Sequence, residues 1–247
     1  MIRLNGFLSV VASGRPGSNL SDPFDCDVYL VDTGDGLVLV DAGVGPEGRA
    51  PLEGVRACGF KPSDVRLILL THGHADHSGN AFYLHEKTGA PVRAHADCAR
   101  YVSGGDTAAI ALEGAIRAGL YPPDYRFRPC PVETIGNGET FTLGNTRWTA
   151  VDTPGHCSGH MCYLMECDGR SYLFAGDSIF VGGKITLQNI WDCSITQYAA
   201  TAEKLCKLRF DALLPSHFGI DLNEGKSHVE KACEIFKSLQ VPPQAGR

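Results

Sequence analysis

The segment 69–80, LLTHGHADHSGN, constrains this chain more than any other stretch. It places His72, His74, Asp76 and His77 within six residues directly after an apolar run, although the 247 residues include only 9 histidines. In an extended segment, side chains two positions apart point the same way, so His72 and His74 can reach one metal ion. Asp76 and His77 come where the chain turns toward the next helix and could serve a second ion. Imidazole and carboxylate ligands suit zinc or iron. On this segment alone, a polar loop with incidental histidines remains an alternative.

Three later residues are candidates for the remaining ligands. His156 lies in TPGHCSGH, Asp177 in LFAGD and His217 in LLPSH, each after an apolar stretch that is typical of a strand. Strand ends on one edge of a sheet converge, and loops there commonly carry function. A lone Asp or His after a strand is usually a turn residue. Together with segment 69–80, the three residues predict a complete metal site.

Charge and hydropathy exclude several classes of function. The net charge is −6 and no dense Lys/Arg block occurs, which argues against nucleic acid or an anionic membrane surface as the main partner. The N-terminal apolar stretch 7–12 is shorter than the ~7–15 residues of a signal peptide core, and it predicts a first strand instead. No stretch approaches the ~18 apolar residues that span a bilayer. We expect a cytoplasmic protein with a small-molecule substrate; the oligomeric state is left open.

The ten cysteines do not form a recognisable framework. Their spacing is scattered and no CxxC pair occurs, so neither a zinc-thiolate site nor a disulfide scaffold is favoured. We expect reduced thiols in a reducing compartment.

The order of predicted elements indicates an α/β protein. Strands, hairpins and helices are mixed, which predicts an αββα four-layer sandwich: two mixed sheets flanked by helices. No linker is visible, so we expect one domain over residues 1–247. The pattern predicts a hairpin (28–31 and 37–40), a buried strand (65–71), helices (80–88, 106–119, 197–207 and 227–239) and a frayed tail (241–247).

The motifs, taken in order, resemble those of the metallo-β-lactamase-fold hydrolases. The resemblance covers about residues 27–219 and depends on VDAG, THGHADH, TPGHCSGH, AGD and PSH. It implies two zinc ions, with iron or manganese as alternatives. One ion would be held by His72, His74 and His156 and the other by Asp76, His77 and His217, with Asp177 bridging both. Asp41, in VDAG, would orient a ligand, or would simply end a strand.

Individual residues within the motifs indicate which enzymes of this family the sequence resembles most. The bridging Asp177 argues against β-lactamase activity, and Phe180 stands where related lactonases carry a tyrosine proton donor. TPGHCSGHMCY and FAGDSIFVGGK look most like glyoxalase II, with Lys184 near the expected place of a thiol-binding cation. Only 30 residues follow His217 in the 247, too few for that family's helical glutathione-binding region. Residues 99–131 could shape the substrate pocket instead, with contacts from the tyrosines Tyr101, Tyr121 and Tyr125.

The sequence therefore predicts a binuclear hydrolase of the glyoxalase II type. Metal-bound hydroxide would attack a thioester, ester or lactone, and Asp76 would act as the catalytic proton shuttle. One alternative keeps the fold but uses a single iron, held by His72, His74 or His156 with a carboxylate, to oxidise a persulfide. The other is a non-enzymatic binding protein.

Overall fold

The computed structural model describes residues 1–246. Arg247, the last residue of the expected single domain, lies outside the described residues. The chain divides into two compact units, Met1–Ile135 and Gly136–Arg247. The single domain over 1–247 stays a prediction.

The first unit is built on a seven-stranded mixed sheet. Its strands follow one another in chain order across the sheet, antiparallel from β1 to β4 and parallel from β4 to β7. The strands are β1 (Ile2–Arg3), β2 (Leu8–Ala12), β3 (Val28–Asp32), β4 (Leu37–Val40), β5 (Val65–Leu69), β6 (Val92–Ala94) and β7 (Glu133–Thr134). The expected hairpin and buried strand are thus confirmed, and the stretch 7–12 does form a strand, although β1 precedes it.

Five α-helices belong to this unit. They are α1 (Arg49–Ala57), α2 (Ala75–Ser78), α3 (Ala81–Thr88), α4 (Ala96–Gly104) and α5 (Leu112–Arg117). Alternate strand residues such as Leu37 and Leu39 enter a core that also contains Leu52 of α1 and Leu84 of α3. All four residues of β4 are buried, as expected of a strand that is covered on both faces.

The second unit has a five-stranded sheet and two helices. Across the sheet the order is β12-β11-β10-β9-β8, antiparallel except for the parallel pair β11 and β12. The elements are β8 (Thr140–Leu143), β9 (Thr146–Asp152), β10 (Met161–Cys167), β11 (Arg170–Gly176), α6 (Ile195–Cys206), β12 (Ala212–Pro215) and α7 (Gly225–Lys237). Ala202 and Leu205 of α6, with Val229 of α7, pack on the sheet residue Leu173.

The helix predicted over 106–119 is wrong in its first half. Only α5 is helical there, and Ala111 before it has a left-handed φ of 56°. Ile110 and Leu112 are both buried in one cluster with Val44 and Tyr101. At about 100° per residue, a continuous helix would turn these two side chains away from each other. Packing therefore interrupts the helix at Ala111.

The frayed tail predicted for 241–247 is also wrong over residues 243–245. The Ile185 N–H donates to the Pro243 carbonyl at 3.1 Å, and the Ala245 N–H donates to the Ile185 carbonyl at 2.8 Å. Gln244 accepts a hydrogen bond from the Leu187 N–H through its side chain. These hydrogen bonds pair the tail with the backbone of Ile185. The composition of the tail does not predict such a strand-like pairing.

Two absences hold for residues 1–246. No helix there is long and apolar enough to cross a membrane. No disulfide joins any of the ten cysteines; that the thiols are reduced in a reducing compartment stays a prediction.

Candidate metal ligands

Asp41 organises the ligand loop of the first unit. Strands β4 and β5 are parallel neighbours with Val40 opposite Leu69, so the residues that follow them meet at one sheet edge. Asp41 has a left-handed φ of 64°, which aspartate tolerates better than most residues. Its carboxylate accepts hydrogen bonds from the Thr71 N–H at 2.7 Å and from the Thr71 hydroxyl at 2.9 Å. The chain is thereby held immediately before the histidine cluster.

The same carboxylate orients His77. Oδ2 of Asp41 lies 2.9 Å from Nδ1 of His77, and both side chains are buried. The Nδ1–H therefore donates to the carboxylate, and Nε2 is left as the ring's ligand atom. This is the orienting contact that the resemblance implies for Asp41. Cys26, which the sequence did not single out, lies in the same group, with a potential ligand atom within 4.8 Å of those of Asp41 and His77.

His72 and His74 converge as the motif predicts. Nε2 of His72 and Nδ1 of His74 are 3.0 Å apart, roughly the separation of two nitrogens that each lie about 2 Å from one zinc ion. Nδ1 of His72 faces the Thr71 hydroxyl at 3.1 Å, which fixes the other end of the ring. Burial lowers the pKa of His74 to about 4, so this ring is neutral at pH 7, as a ligand must be.

Asp76 lies in α2 beside a tyrosine from a distant part of the unit. Its Oδ2 is 3.4 Å from Nε2 of His77. The Tyr121 hydroxyl donates to Oδ1 of Asp76 at 3.1 Å and accepts from the Asp76 N–H at 3.2 Å. Tyr121 thus holds one carboxylate oxygen and leaves the other on the side of His77.

In the second unit, sheet topology brings the three predicted ligands to one edge. Strands β11 and β12 are parallel, with Gly176 opposite Pro215, so Asp177 and His217 leave neighbouring strand ends. The pairing is irregular between Phe174 and Gly176. Such an irregularity at a strand end re-aims the side chain that follows. His156 comes from the loop between β9 and β10, at the same edge.

The Asp177 carboxylate faces two histidines with different oxygens. Oδ2 lies 3.6 Å from Nε2 of His156, and Oδ1 lies 3.8 Å from Nε2 of His217. All three residues are buried. A carboxylate whose two oxygens each face a different imidazole has the arrangement expected of a ligand that bridges two metal ions.

Three further residues of the second unit, His160, Thr153 and Tyr198, support Asp177. The Asp177 N–H donates to Nε2 of His160 at 3.0 Å, and Nδ1 of His160 is 2.8 Å from the Thr153 hydroxyl. The Tyr198 hydroxyl lies 3.1 Å from the Asp177 carbonyl and 3.0 Å from the Thr186 carbonyl. His160 could be suspected from its place four residues after His156, but Tyr198 carries no sequence signal.

The side chains gathered in the two units are of the kinds that bind divalent metal ions. Buried imidazoles and carboxylates whose other atoms are tied down by hydrogen bonds are the usual environment of zinc or iron. Four imidazole or carboxylate side chains lie together in the first unit and three in the second.

The remaining candidates differ in their surroundings. Phe180 is fully buried and packs edge-on against Phe218 at 5.3 Å. Lys184 pairs with Phe180 through a backbone bridge. Tyr101 is buried in a hydrophobic cluster, whereas Tyr121 and Tyr125 are half-buried. Of the three tyrosines, Tyr121 and Tyr125 therefore have surface to offer a ligand.

Comparison with known proteins defines the family. The model of the metallo-beta-lactamase superfamily matches residues 21–217. The chain belongs to that superfamily, and the resemblance inferred from its motifs is confirmed.

Two curated relatives illustrate the range of names within the family. Thioesterase pkgB of Emericella nidulans is 28% identical over 201 residues, covering 80% of this chain and 47% of that protein. A hydroxyacylglutathione hydrolase of Shewanella halifaxensis is 31% identical over 157 residues, covering 63% of this chain and 44% of that protein. The chain spans about half the length of the curated relatives it matches.

Solved structures establish the fold. A B3 metallo-beta-lactamase with an active-site glutamic acid matches with a TM-score of 0.71 at 23% identity, covering 96% of this chain and 88% of that one. BJP-1 of Bradyrhizobium japonicum, also of subclass B3, matches with a TM-score of 0.66 at 25% identity and 87% coverage of both chains. The predicted fold class, two mixed sheets flanked by helices, is confirmed.

Proposed function

We propose that this protein is a metal-dependent hydrolase that cleaves a thioester at a centre of two metal ions. The observation that carries the proposal is the Asp177 carboxylate, whose two oxygens face His156 and His217 separately. A single ion would need only one of these oxygens, whereas two ions would use both.

The ligands are divided between the ions according to the family pattern. His72, His74 and His156 would hold one ion, Asp76, His77 and His217 would hold the other, and Asp177 would bridge them. Support comes from the family match, which spans both groups of residues. Zinc fits these ligands best, and iron or manganese are the alternatives.

In the proposed hydrolysis the metal ions supply hydroxide and the side chains move the proton. Divalent ions lower the pKa of bound water to about 7 and so supply hydroxide at neutral pH. Addition of water across the thioester breaks the C–S bond and gives a carboxylic acid and a thiol. Asp76 accepts the proton of the attacking water and passes it to the departing thiolate. Tyr121 fixes one Asp76 oxygen, so the other is held in place for this transfer.

The substrate class is proposed from the relatives. Proteins named thioesterase and hydroxyacylglutathione hydrolase both occur among them, and both names denote cleavage of a thioester. The likeness to β-lactamase structures is a likeness of fold. We also propose that the protein works in a reducing compartment, because its ten cysteines are scattered along the sequence without a CxxC pair.

Metal content and hydrolysis, measured on one preparation, test the proposal. The protein would be purified without a metal-binding tag, its metals counted by mass spectrometry, and thioester, ester and lactone substrates compared. We expect about two zinc ions per chain and fastest turnover of the thioester. One iron per chain with oxygen uptake on a persulfide would overturn the proposal, as would full activity after complete removal of metal.

A further inference from the structure

We infer that a cavity in the first unit binds an aromatic acyl group, and this inference rests on the proposed thioester hydrolysis. The cavity has a volume of about 320 Å³. Ligand pockets commonly have volumes of roughly 300–1,000 Å³, so it can take a small ring system. Its walls include the aromatic side chains Phe24, Tyr83, Tyr121 and Tyr125.

The aromatic walls are arranged for stacking. Tyr121 and Tyr125 are stacked, with ring centres 5.6 Å apart and planes 28° apart, and Phe24 lies 5.8 Å from Tyr121 at a tilt of 56°. All three are half-buried. Aromatic rings prefer partners at these separations, so a planar ring in the cavity would extend the stack.

Tyr121 links the cavity to the proposed reaction centre. Its ring lines the cavity while its hydroxyl is hydrogen-bonded to Asp76. A ligand that packs on this ring lies next to the side chain that holds a proposed metal ligand. Through Tyr121 the cavity adjoins Asp76, and we assign to it the acyl group of the thioester.

Gly79 lets Tyr125 lie close to the metal-binding loop. A Cβ on this residue would collide with the Tyr125 hydroxyl and lie 3.2 Å from the Val44 side chain. The absence of a side chain at position 79 thus keeps the second ring of the stack against α2.

Asn80 provides an unused hydrogen-bond donor in the cavity wall. It is 2% exposed, and its Oδ1 accepts from the Gly48 N–H at 3.0 Å. Its Nδ2 makes no hydrogen bond within residues 1–246. A buried donor without a partner is costly, and an oxygen on the ligand would satisfy it. The structure thus favours a ring that carries a carbonyl or hydroxyl oxygen.

The charges at the cavity do not favour an anionic ligand. Asp22, Glu47 and Arg126 supply two carboxylates and one guanidinium. The carboxylates of a glutathione conjugate would meet net negative charge here. A neutral aromatic group meets no such penalty.

Matched substrates and a neutral ligand provide the test on the metal-loaded protein. S-(2-naphthoyl)- and S-acetyl-N-acetylcysteamine would be compared in hydrolysis, and binding of 2-acetylnaphthalene would be measured by calorimetry. We expect kcat/KM to be at least about ten-fold higher for the naphthoyl thioester. Y125L should reduce that preference about five-fold, as expected for the loss of one aromatic pair, and should weaken binding of the ketone. N80D keeps the acceptor for Gly48 but removes the donor, and should weaken ketone binding as well.

The outcomes separate the two proposals. F82L, on the same helix as Tyr83 but outside the cavity, is the matched control and should keep the naphthoyl preference. Equal turnover of both thioesters, unchanged by Y125L, would overturn the aromatic site and leave the hydrolase standing. No turnover of either thioester, with Tyr125-dependent binding of the ketone, would overturn the thioester function but retain the aromatic site. No binding of the ketone would overturn the aromatic site.

Discussion

His160 supports Asp177 through the main chain: the Asp177 N–H donates to Nε2 of His160 at 3.0 Å. Nε2 must therefore be the unprotonated nitrogen of the ring, and the Nδ1–H donates to the Thr153 hydroxyl at 2.8 Å. Thr153 and Asp177 each follow a strand of the same sheet, β9 and β11 respectively. A neutral, buried imidazole thus ties two loops of the proposed ligand edge together.

We predict that H160A weakens metal binding by about 10–100-fold, the usual effect of removing a residue that orients a ligand. Zinc affinity would be measured by competition with a chromophoric chelator. H160Q can still offer an acceptor to the Asp177 N–H and should recover part of the affinity. H85A removes a histidine that lies against the Ala90 carbonyl and should leave the affinity unchanged. An H160A protein with wild-type affinity would contradict this role.

We predict that D177A loses metal and hydrolysis together. The variant removes both oxygens that face His156 and His217. Metal per chain should fall from about two toward one or none, and kcat should drop at least about 100-fold, since one ion cannot do the work of a two-ion site. Metal analysis and thioester turnover on the same sample provide the measurement. Full activity in D177A would exclude the two-ion centre.

We predict that Y121F lowers kcat about ten-fold with little change in KM. The hydroxyl donates to a carboxylate, and loss of such a bond costs roughly 1.5 kcal/mol or more, which corresponds to about ten-fold in rate. Y172F, which removes a hydroxyl from a tyrosine of β11 outside the cavity, is the control and should stay near wild type. Equal losses in both variants would indicate a general effect on the fold rather than positioning of Asp76.

The proposed metal ligands could be picked out from the sequence because they follow buried strands, and their role as ligands stays a prediction. Val65–Leu69 precedes His72, and Ala212–Pro215 precedes His217. Periodicity identifies such strands, and a parallel neighbour brings their ends to one edge. The supporting residues were not predictable in the same way. Tyr121 reaches Asp76 across 45 positions of the chain, and no local pattern encodes that contact.

The error in the helix predicted over residues 106–119 also arises from contacts between residues that are distant in the sequence. Residues 106–119 carry helical spacing, but Ile110 and Leu112 are buried in one cluster and Ala111 turns left-handed between them. Tertiary packing overrides propensity there. The division of residues 1–247 into one domain or two also depends on packing, and it remains a prediction.

We predict that G155A destabilises the second unit and its ligand loop. Gly155 has a φ of 143°, and a Cβ there would lie 2.7 Å from the Tyr198 nitrogen and 2.8 Å from its Cα. The clash is with the backbone of α6, so it cannot be relieved by a side-chain rotation. We expect the free energy of unfolding to fall by about 3 kcal/mol or more, and metal content to fall because His156 is adjacent.

Gly138 provides the matched control for that variant. Its φ is 78°, but a Cβ there meets nothing within 4 Å. G138A therefore adds only backbone strain, about 1 kcal/mol, and should retain its metal. Denaturant unfolding of both variants measures the difference. Equal destabilisation would show that the approach to Tyr198 does not matter.

We predict an acid-dependent contribution to stability from Asp221. Hydrogen bonds from the N–H groups of Glu224 and Asn223, both at 2.9 Å, lower the pKa of its carboxyl, and His228 adds to the effect at 2.9 Å. Because the pKa is lower in the folded state than in the unfolded state, the charged form stabilises the fold at neutral pH. That stabilisation is lost as the pH falls through the folded-state pKa.

The test compares D221N with wild type in urea unfolding across pH. The variant should be less stable at pH 7, and the difference should shrink below about pH 4 as the wild-type carboxyl takes up its proton. The matched control is D211N, whose carboxylate accepts a single backbone hydrogen bond from the Ser171 N–H. D211N should be less destabilising than D221N at pH 7. A difference between D221N and wild type that stays constant from pH 7 to pH 3 would exclude the charge of Asp221 as its cause.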